Sequence, residues 1–499
     1  MLVLLLLLII STFVFYHLYW KRRNLPPGPC PIPFIGNTHT LAKLSPGYAA
    51  FKKWQQEYGN IYTFWIGENP VIAVNDYETI VESFLKNGQA FAGRFQIPEF
   101  QEIFKKGNGG VIHVEGDLWS EHRRFSLKVL RDFGVGKNLM QDKILDTILI
   151  FLQKIESESN LMEKVDMIKL IDISIGSIIN DLIFGNKFVE DEDTSAFYEL
   201  KEVVKRHLQL SRHPMVMIMW KNTLFYKNLP IFGKYYSEIE EMKNVIFKFF
   251  DEKIKSHIEN FDKEKEPEDF VDAYLCEMFK RKELDGNSGT FNRNQLNNLC
   301  FDFWIAGQET TTNSLAWGIL YLMLNPFIQE KIQHEIDSQL PDQRLITMSD
   351  KPNLPYSQAV VLEIQRIANV VPLNVLHSTL EDTKIGKFPV QKGTLIVPQI
   401  SSVLFDEKIF PEPMEFKPER FLDSEGKLKE CKEMIPFSVG KRQCLGEGLA
   451  KMELFLFVVN IFNKFSITKL KNENVSLERN PGATVSPHPF HCKVTLRKR

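Results

Sequence analysis

The run Phe437-Ser-Val-Gly-Lys-Arg-Gln-Cys-Leu-Gly446 constrains this chain more than any other stretch. A single cysteine, Cys444, sits in a short loop, with Gly440 four residues before it and Gly446 two residues after it. Directly after the loop, apolar residues recur at helical spacing from Leu449 to Phe465, which predicts a helix. The thiol therefore stands at the mouth of a helix N-terminus. There, N–H groups without intrahelical partners and the positive end of the dipole favour a thiolate. Gly440 and Gly446 admit backbone angles and close approaches that a Cβ forbids. Arg442 puts a cation two residues from the sulfur.

Such a thiolate can serve as a nucleophile, a zinc ligand or a heme ligand. Zinc asks for three or four ligands, usually with a second cysteine or a histidine close by, and a nucleophile asks for a general base. The loop offers neither, so a flat cofactor needing one strong axial sulfur fits better. Against all three stands the commonest fate of a cysteine, burial as a small apolar side chain. The loop, however, matches F-x-x-G-x-R-x-C-x-G at every fixed position, a coincidence expected in about one chain of this length in ten thousand. That pattern resembles the cysteine-ligand loop of the cytochrome P-450 family. The resemblance implies that Cys444 is the axial thiolate of heme b, framed by Phe437, Gly440 and Arg442.

The N-terminus adds a second constraint. Met1 to Trp20 carries no charged side chain, enough as a helix to span a hydrocarbon core, and Lys21-Arg22-Arg23 follows at once. With no basic residue before the apolar run and no small-residue cleavage site, it reads as an anchor rather than a signal peptide. The basic cluster keeps the body on the cytosolic side. Leu25-Pro-Pro-Gly-Pro-Cys-Pro-Ile-Pro33 then predicts a stiff extended segment and resembles the family's proline hinge. Six scattered cysteines argue against a disulfide framework, and a net charge of −2 excludes an electrostatic case for nucleic acid.

Further along, Tyr48 to Tyr58 reads as a helix, and Ile61 to Ile66 and Val71 to Val74 as a hairpin around Gly67-Glu-Asn-Pro70. Trp119 and Arg123 lie four apart and share a helix face, where an indole N–H and a guanidinium suit a carboxylate. Met242, Ile246, Phe249 and Phe250 form an apolar stripe suited to core packing. Gln295 to Asn325, closed by Pro326, is the longest helical candidate. Its middle reads Ala306-Gly-Gln-Glu309-Thr310-Thr311, polar groups that are costly in an apolar helix unless satisfied. The Thr310 hydroxyl can bond the Ala306 carbonyl one turn back, and Glu309 with Thr310 could pass protons. Glu363 and Arg366 are three apart among apolar residues, which suggests a buried pair. Thr394 to Gln399 reads as a strand.

These stretches match the family's motifs in order, so the resemblance covers essentially the whole chain and looks most like its animal microsomal family-2 members. It implies one large, mainly α domain with a smaller β region over 37–499, behind a transmembrane helix over 1–20 and a basic stop with proline hinge over 21–36. Trp119, Arg123, His377 and Arg442 are implied to hold heme propionates. Thr310 and Glu309 are implied to deliver protons to dioxygen. Glu363, Arg366 and Arg420 are implied to form a structural network. Pocket residues are implied in the Phe100 to Ile112 region, on the Phe301 helix, near Val370 and at the Gly482 to Val485 turn.

The implied activity is monooxygenation of a lipophilic substrate, whether xenobiotic, fatty acid or steroid, at the endoplasmic reticulum membrane. With no glycine-rich nucleotide fingerprint after a strand, electrons must come from a partner, by resemblance an NADPH-dependent diflavin reductase. Lys427, Lys429, Lys432 and Lys441 are candidate docking cations. A heme-thiolate isomerase or dehydratase and a heme sensor are the alternatives. Glu309 and Thr310 weigh against the first, which needs no proton relay.

Overall fold

In the computed structural model, which describes residues 2–498 except 135–137, 189–190, 212, 220–221, 341, 343 and 483, the uncharged N-terminal run forms α1 (Leu2–Leu18). All its described side chains but His17 are partly or largely exposed. With the turn that follows it, α1 is long and apolar enough to cross a membrane. Its basic end is tied down. Lys21 Nζ lies 2.9 Å from Glu68 Oε2 and 4.5 Å over the Trp65 ring.

The chain forms two compact units. The smaller comprises residues 1–95, 371–415 and 431–444. It holds α2 (Tyr48–Tyr58) and a five-stranded sheet of β1 (Ile61–Ile66), β2 (Asn69–Val74), β3 (Gly93–Arg94), β4 (His377–Ser378) and β5 (Leu395–Pro398). The order is β1-β2-β5-β4-β3, with β2 and β5 parallel and the other neighbours antiparallel. Alternation along β2 sorts the core. Val71 and Ala73 pack with Phe51, Trp54 and Phe64, whereas Ile72 and Val74 pack with Phe84, Phe91 and Ile396.

One expectation is corrected here. The hairpin turn is Gly67-Glu68 alone, and Pro70 lies within β2 opposite Trp65. Pro70 is tolerated because β5 pairing begins only at Val71. The proline-rich segment is docked on the sheet. It lies along β1, where Thr63 N donates to the Pro27 carbonyl at 2.9 Å.

The larger unit comprises residues 96–370, 416–430 and 445–499. It contains α3 (Gly116–Asp132), α4 (Met167–Phe184), α5 (Asp191–Ser211), α6 (Pro230–Glu259), α7 (Arg293–Leu324), α8 (Pro355–Ala368) and α9 (Glu447–Lys464). It also holds a short antiparallel pair, β6 (Phe465–Lys469) with β7 (Cys492–Leu496). Asn292 caps α7 by accepting from Gln295 N at 2.9 Å, and Pro326 opens the next helix. α7 lies against α4, α8 and α9. Gly307 brings it close to α4, since a Cβ there would press on the Ile179 side chain. The expected stripe on α6 is shifted. Ile246 and Phe250 are buried, but Phe247 is buried in place of Phe249, because the helix turns its 239/243/246/250/254 face inward.

Glu363 and Arg366 are fully buried and doubly bonded, Nε to Oε2 at 2.7 Å and Nη2 to Oε1 at 2.8 Å. Arg420 Nε reaches Glu363 Oε1 at 3.1 Å, and the Lys417 N–H donates to the same oxygen at 2.9 Å. One carboxylate thus pairs with two guanidiniums. Glu363→Ala leaves both charges buried without it and should lower stability by about 3–5 kcal/mol, read as a fall in the denaturant midpoint. A change under about 0.5 kcal/mol would show the triad to be dispensable.

A second buried carboxyl joins α9 to α7. Glu453 Oε2 accepts from Thr311 Oγ1 at 3.2 Å. Burial pushes its pKa from 4.5 up to about 8, which the Thr311 bond only partly offsets. The unfolded chain loses this proton near pH 4.5, whereas the native chain keeps it to about 8. The native state therefore binds more protons between those values, and stability must fall as pH rises through that window. Glu453→Gln should flatten this fall in thermal midpoint. An identical slope in both proteins would contradict the assignment.

Candidate functional site

The cysteine loop is built by its backbone. Cys444 N donates to the Phe437 carbonyl at 3.0 Å, and Gln443 N donates to the Gly440 carbonyl at 3.1 Å. Between them the chain turns through positive φ at Ser438 (61°) and Gly440 (80°). A Cβ at 440 would run into the Phe84 carbonyl oxygen, so only glycine fits. Phe437 is half-buried, and the Cys444 side chain is exposed. Gly446 is different from expectation. Its φ is −90° and nothing lies within 4 Å of a Cβ built there. The loop therefore needs no glycine at 446 for its own geometry.

In the same unit, β3 and β4 pair so that Arg94 stands opposite His377, which puts both side chains on one face. His377, Arg94 and Arg442 are all buried. Arg442 Nε donates to the Ala92 carbonyl at 2.7 Å and Arg94 Nη1 to the Leu376 carbonyl at 3.3 Å. His377 Nδ1 lies 2.8 Å from the Phe91 carbonyl, which can only accept, so Nδ1 carries the proton. Burial first, and then the positive charges of Arg94 and Arg442, hold the His377 pKa well below its ordinary value. A neutral imidazole between two guanidiniums makes this spot electropositive and suited to a carboxylate. Arg94 was not singled out from sequence, because its two-residue strand carries no periodic signal and its partner lies far along the chain.

In the larger unit, α3 places Trp119 and Arg123 on one face. Trp119 is buried, Arg123 is half-buried, and the guanidinium lies 5.9 Å from the indole ring centre. On α7, Thr310 Oγ1 donates to the Ala306 carbonyl at 2.6 Å, and Ser314 Oγ donates to the Thr310 carbonyl at 2.8 Å. Ala306 is exposed and Thr310 half-exposed, although the helix is buried almost throughout on either side. α7 thus presents a small open stretch with one hydroxyl.

Glu309 points toward a lysine that sequence reasoning missed. Lys201 on α5 pairs with Asp172 of α4 and lies 3.8 Å from Glu309 Oε1. Burial raises the Glu309 pKa; Lys201 pulls it back and Asp172 pushes it up again. The Asp172 pKa is itself raised by burial, against the pull of Lys201. Nothing in the spacing of Asp172, Lys201 and Glu309 along the chain marks them as neighbours.

The expected pocket segments are drawn together within this unit. Asp302 accepts from Val111 N at 2.7 Å and Ile112 N at 2.9 Å, and pairs with Lys105. The 105–112 segment is therefore fastened to α7. Phe301 packs edge-on against Phe104 at 5.5 Å. Val485 N donates to the Val370 carbonyl at 2.8 Å. The Phe100 side chain and Ala483 lie outside the described residues.

Comparison with known proteins agrees with this geometry. The family model described as cytochrome P-450 matches residues 26–494. Cytochrome P-450 2U1 of Bos taurus is 33% identical, over 99% of this chain and 93% of its own. Cytochrome P-450 2C8 of Homo sapiens is 34% identical over 91% of each chain, and cytochrome P-450 2H1 of Gallus gallus 34% over 91% and 89%. A match of this extent, on a chain whose exposed cysteine is held on a glycine-locked loop, makes the protein a member of the cytochrome P-450 family, a heme-thiolate monooxygenase with heme b as its cofactor.

Proposed function

We propose that Cys444 supplies the axial thiolate and that Arg94, Trp119, Arg123, His377 and Arg442 hold the heme propionates. The single observation that carries this is the exposed sulfur of Cys444 on a loop locked by Gly440. The donor set fits the cofactor: one soft anionic sulfur for the iron, with cationic and N–H donors for two carboxylates. Phe437 and Gly440 shape the loop that presents the sulfur. His377, its Nδ1–H held by the Phe91 carbonyl, leaves Nε2 free of that bond and stands beside Arg94 and Arg442.

When bound, heme b supplies the iron at which dioxygen is activated, with the thiolate pushing electron density toward O–O cleavage. The chain's own residues manage protons and exclusion of water. The Thr310 hydroxyl, held by Ala306 O, is placed to pass a proton. Glu309, whose pKa burial raises, replenishes it, and Lys201 connects Glu309 to Asp172. Aromatic rings of Phe104, Phe247 and Phe301 form an apolar cluster next to the 105–112 segment, which favours a lipophilic substrate, whether xenobiotic, fatty acid or steroid.

Electrons come from NADPH through a diflavin reductase on the same membrane, whose acidic surface the exposed Lys427, Lys429, Lys432 and Lys441 would meet. The layout is an anchor over 1–20, a basic stop and hinge over 21–36, and a catalytic region over 37–499. That catalytic region faces the cytosol at the endoplasmic reticulum, as the basic cluster after the anchor requires.

Reduced protein under carbon monoxide should give the red-shifted absorption band of thiolate-bound iron, and Cys444→Ser should abolish it. A serine variant that keeps the band and full turnover would overturn the ligand assignment. In purified enzyme with reductase, using 7-ethoxycoumarin as a lipophilic probe, Thr310→Ala should raise peroxide released per product by roughly tenfold. Unchanged coupling would remove Thr310 from proton delivery.

A further inference from the structure

His257 stands in the last turn of α6 and reaches across to the next helix, Phe270–Asp285. Its Nδ1 lies 2.8 Å from the Lys253 carbonyl, and its Nε2 lies 2.8 Å from Asp269 Oδ2. Asp269 is buried at the N-cap of that second helix, where its Oδ1 accepts from Asp272 N at 2.9 Å. Asp272 is half-buried, and one ligand atom from each of His257, Asp269 and Asp272 lies within 4.8 Å of the others. Gly185 at the end of α4 leaves room for this group, since a Cβ there would stand 2.9 Å from Asp269 Oδ2. The three side chains line a cleft of about 310 Å³ that Cys276, one helical turn beyond Asp272, also lines. We propose that His257, Asp269 and Asp272 form a zinc site, in which Nε2 and one oxygen of each carboxylate bind the ion and fasten the end of α6 to the helix Phe270–Asp285.

A simple ion pair would use one carboxylate, but here a second is held beside the first. Burial, and then the charge of Asp269, raises the Asp272 pKa, and a divalent cation relieves that strain between like charges. The rest of the cleft adds Asp262, Glu266 and Glu268 against Lys265, so its field draws cations in. The imidazole is also held as a ligand is held. The Lys253 carbonyl can only accept, so Nδ1 carries a proton and the ring turns Nε2 to the carboxylates. An imidazole nitrogen, with a thiol in the same cleft, selects zinc over magnesium or calcium, which take oxygen ligands. A tetrahedral shell with bonds of about 2.1 Å has edges of about 3.4 Å, which side-chain rotation reaches from the present spacing. In the absence of the ion, His257 Nε2 and Asp269 share a proton. Burial lowers the His257 pKa, but the bond and charge of Asp269 outweigh it and raise the pKa to about 9. Zinc must displace that proton, so its affinity rises with pH below 9. The site uses none of the residues assigned to heme or to proton delivery.

The test is a zinc titration of the full-length, heme-loaded protein, first stripped of loose metal with EDTA and read by competition with a fluorescent chelator. One zinc per chain should bind, about tenfold more tightly at pH 7.5 than at pH 6.5. His257→Gln and Asp272→Asn should each weaken it by at least about tenfold. Asp272→Asn keeps the Asp269 cap and its bond to His257, so it decides alone if His257→Gln does not fold. Glu266→Gln, in the same cleft, should leave affinity within about threefold. X-ray absorption at the zinc edge should show nitrogen and oxygen neighbours with imidazole scattering. No saturable zinc, an affinity indifferent to pH, or unchanged binding in Asp272→Asn would overturn the proposal. So would an equal loss in Glu266→Gln, which would mean diffuse attraction to acidic side chains. A shell of sulfur alone would put the ion on exposed cysteines such as Cys30 and overturn it as well.

Discussion

A sulfur that is to bind one metal position must be held rigid by something other than the metal. Here that task falls on the main chain. The Cys444 N–H closes the loop onto the Phe437 carbonyl, while Gly440, at φ 80°, lies so close to the Phe84 carbonyl that no Cβ fits between them. The bond fixes where the loop returns, and the contact fixes how deep it can sit. Val439 next to this turn packs against the core that holds Ile72, Phe84, Phe91 and Ile396. The sulfur is thus referred to the sheet through one hydrogen bond and one steric limit. The same unit gathers Arg94, His377 and Arg442, so the sulfur proposed for the metal and these proposed carboxylate partners share one scaffold.

The larger unit solves a different problem, which is to keep polar groups in an apolar helix without losing stability. Along α7 many of them are given a specified partner. Asp302 takes the Val111 and Ile112 N–H groups, Gln308 Nε2 takes the Asp172 carbonyl at 3.0 Å, and Thr310 takes the Ala306 carbonyl. Thr311 takes Glu453, and Trp317 takes the Val485 carbonyl. Each bond removes a desolvation cost of about 1–3 kcal/mol that the bare group would carry. The helix becomes the place where the 105–112 segment, α4, α9 and the Thr484–Val485 stretch are all pinned.

Local features were legible in the sequence because local rules produce them. The long helix was expected over 295–325 and runs over 293–324, its ends set by Asn292 and Pro326. Thr310 bonding to Ala306, and Glu363 with Arg366, follow from three- and four-residue spacing. What escaped is what only tertiary structure brings together. Arg94 meets His377 through the register of two-residue strands, too short to announce themselves. Lys201 reaches Asp172 and Glu309 from a helix with no motif of its own. The division into two units was also invisible, since the smaller one is assembled from three separate stretches of chain with no compositional break between them. Gly446 shows the reverse error, because a glycine inside a motif was credited with a backbone duty that its φ of −90° does not require.

The lysine that was missed decides what Glu309 can do. Two carboxyl groups compete for one ammonium, and Lys201 sits on Asp172 while staying 3.8 Å from Glu309. Had it closed on Glu309 instead, that group would be a stable carboxylate, able to accept protons but slow to give them. Placed on Asp172, Lys201 leaves Glu309 with burial as its dominant influence, which favours the acid form. Asp172 adds to this by disfavouring a second negative charge close by. A proton carrier works best when its pKa lies near the ambient pH. Burial raises the Glu309 pKa and the Lys201 ammonium opposes that rise, so the proton-carrying role proposed for Glu309 depends on where Lys201 sits.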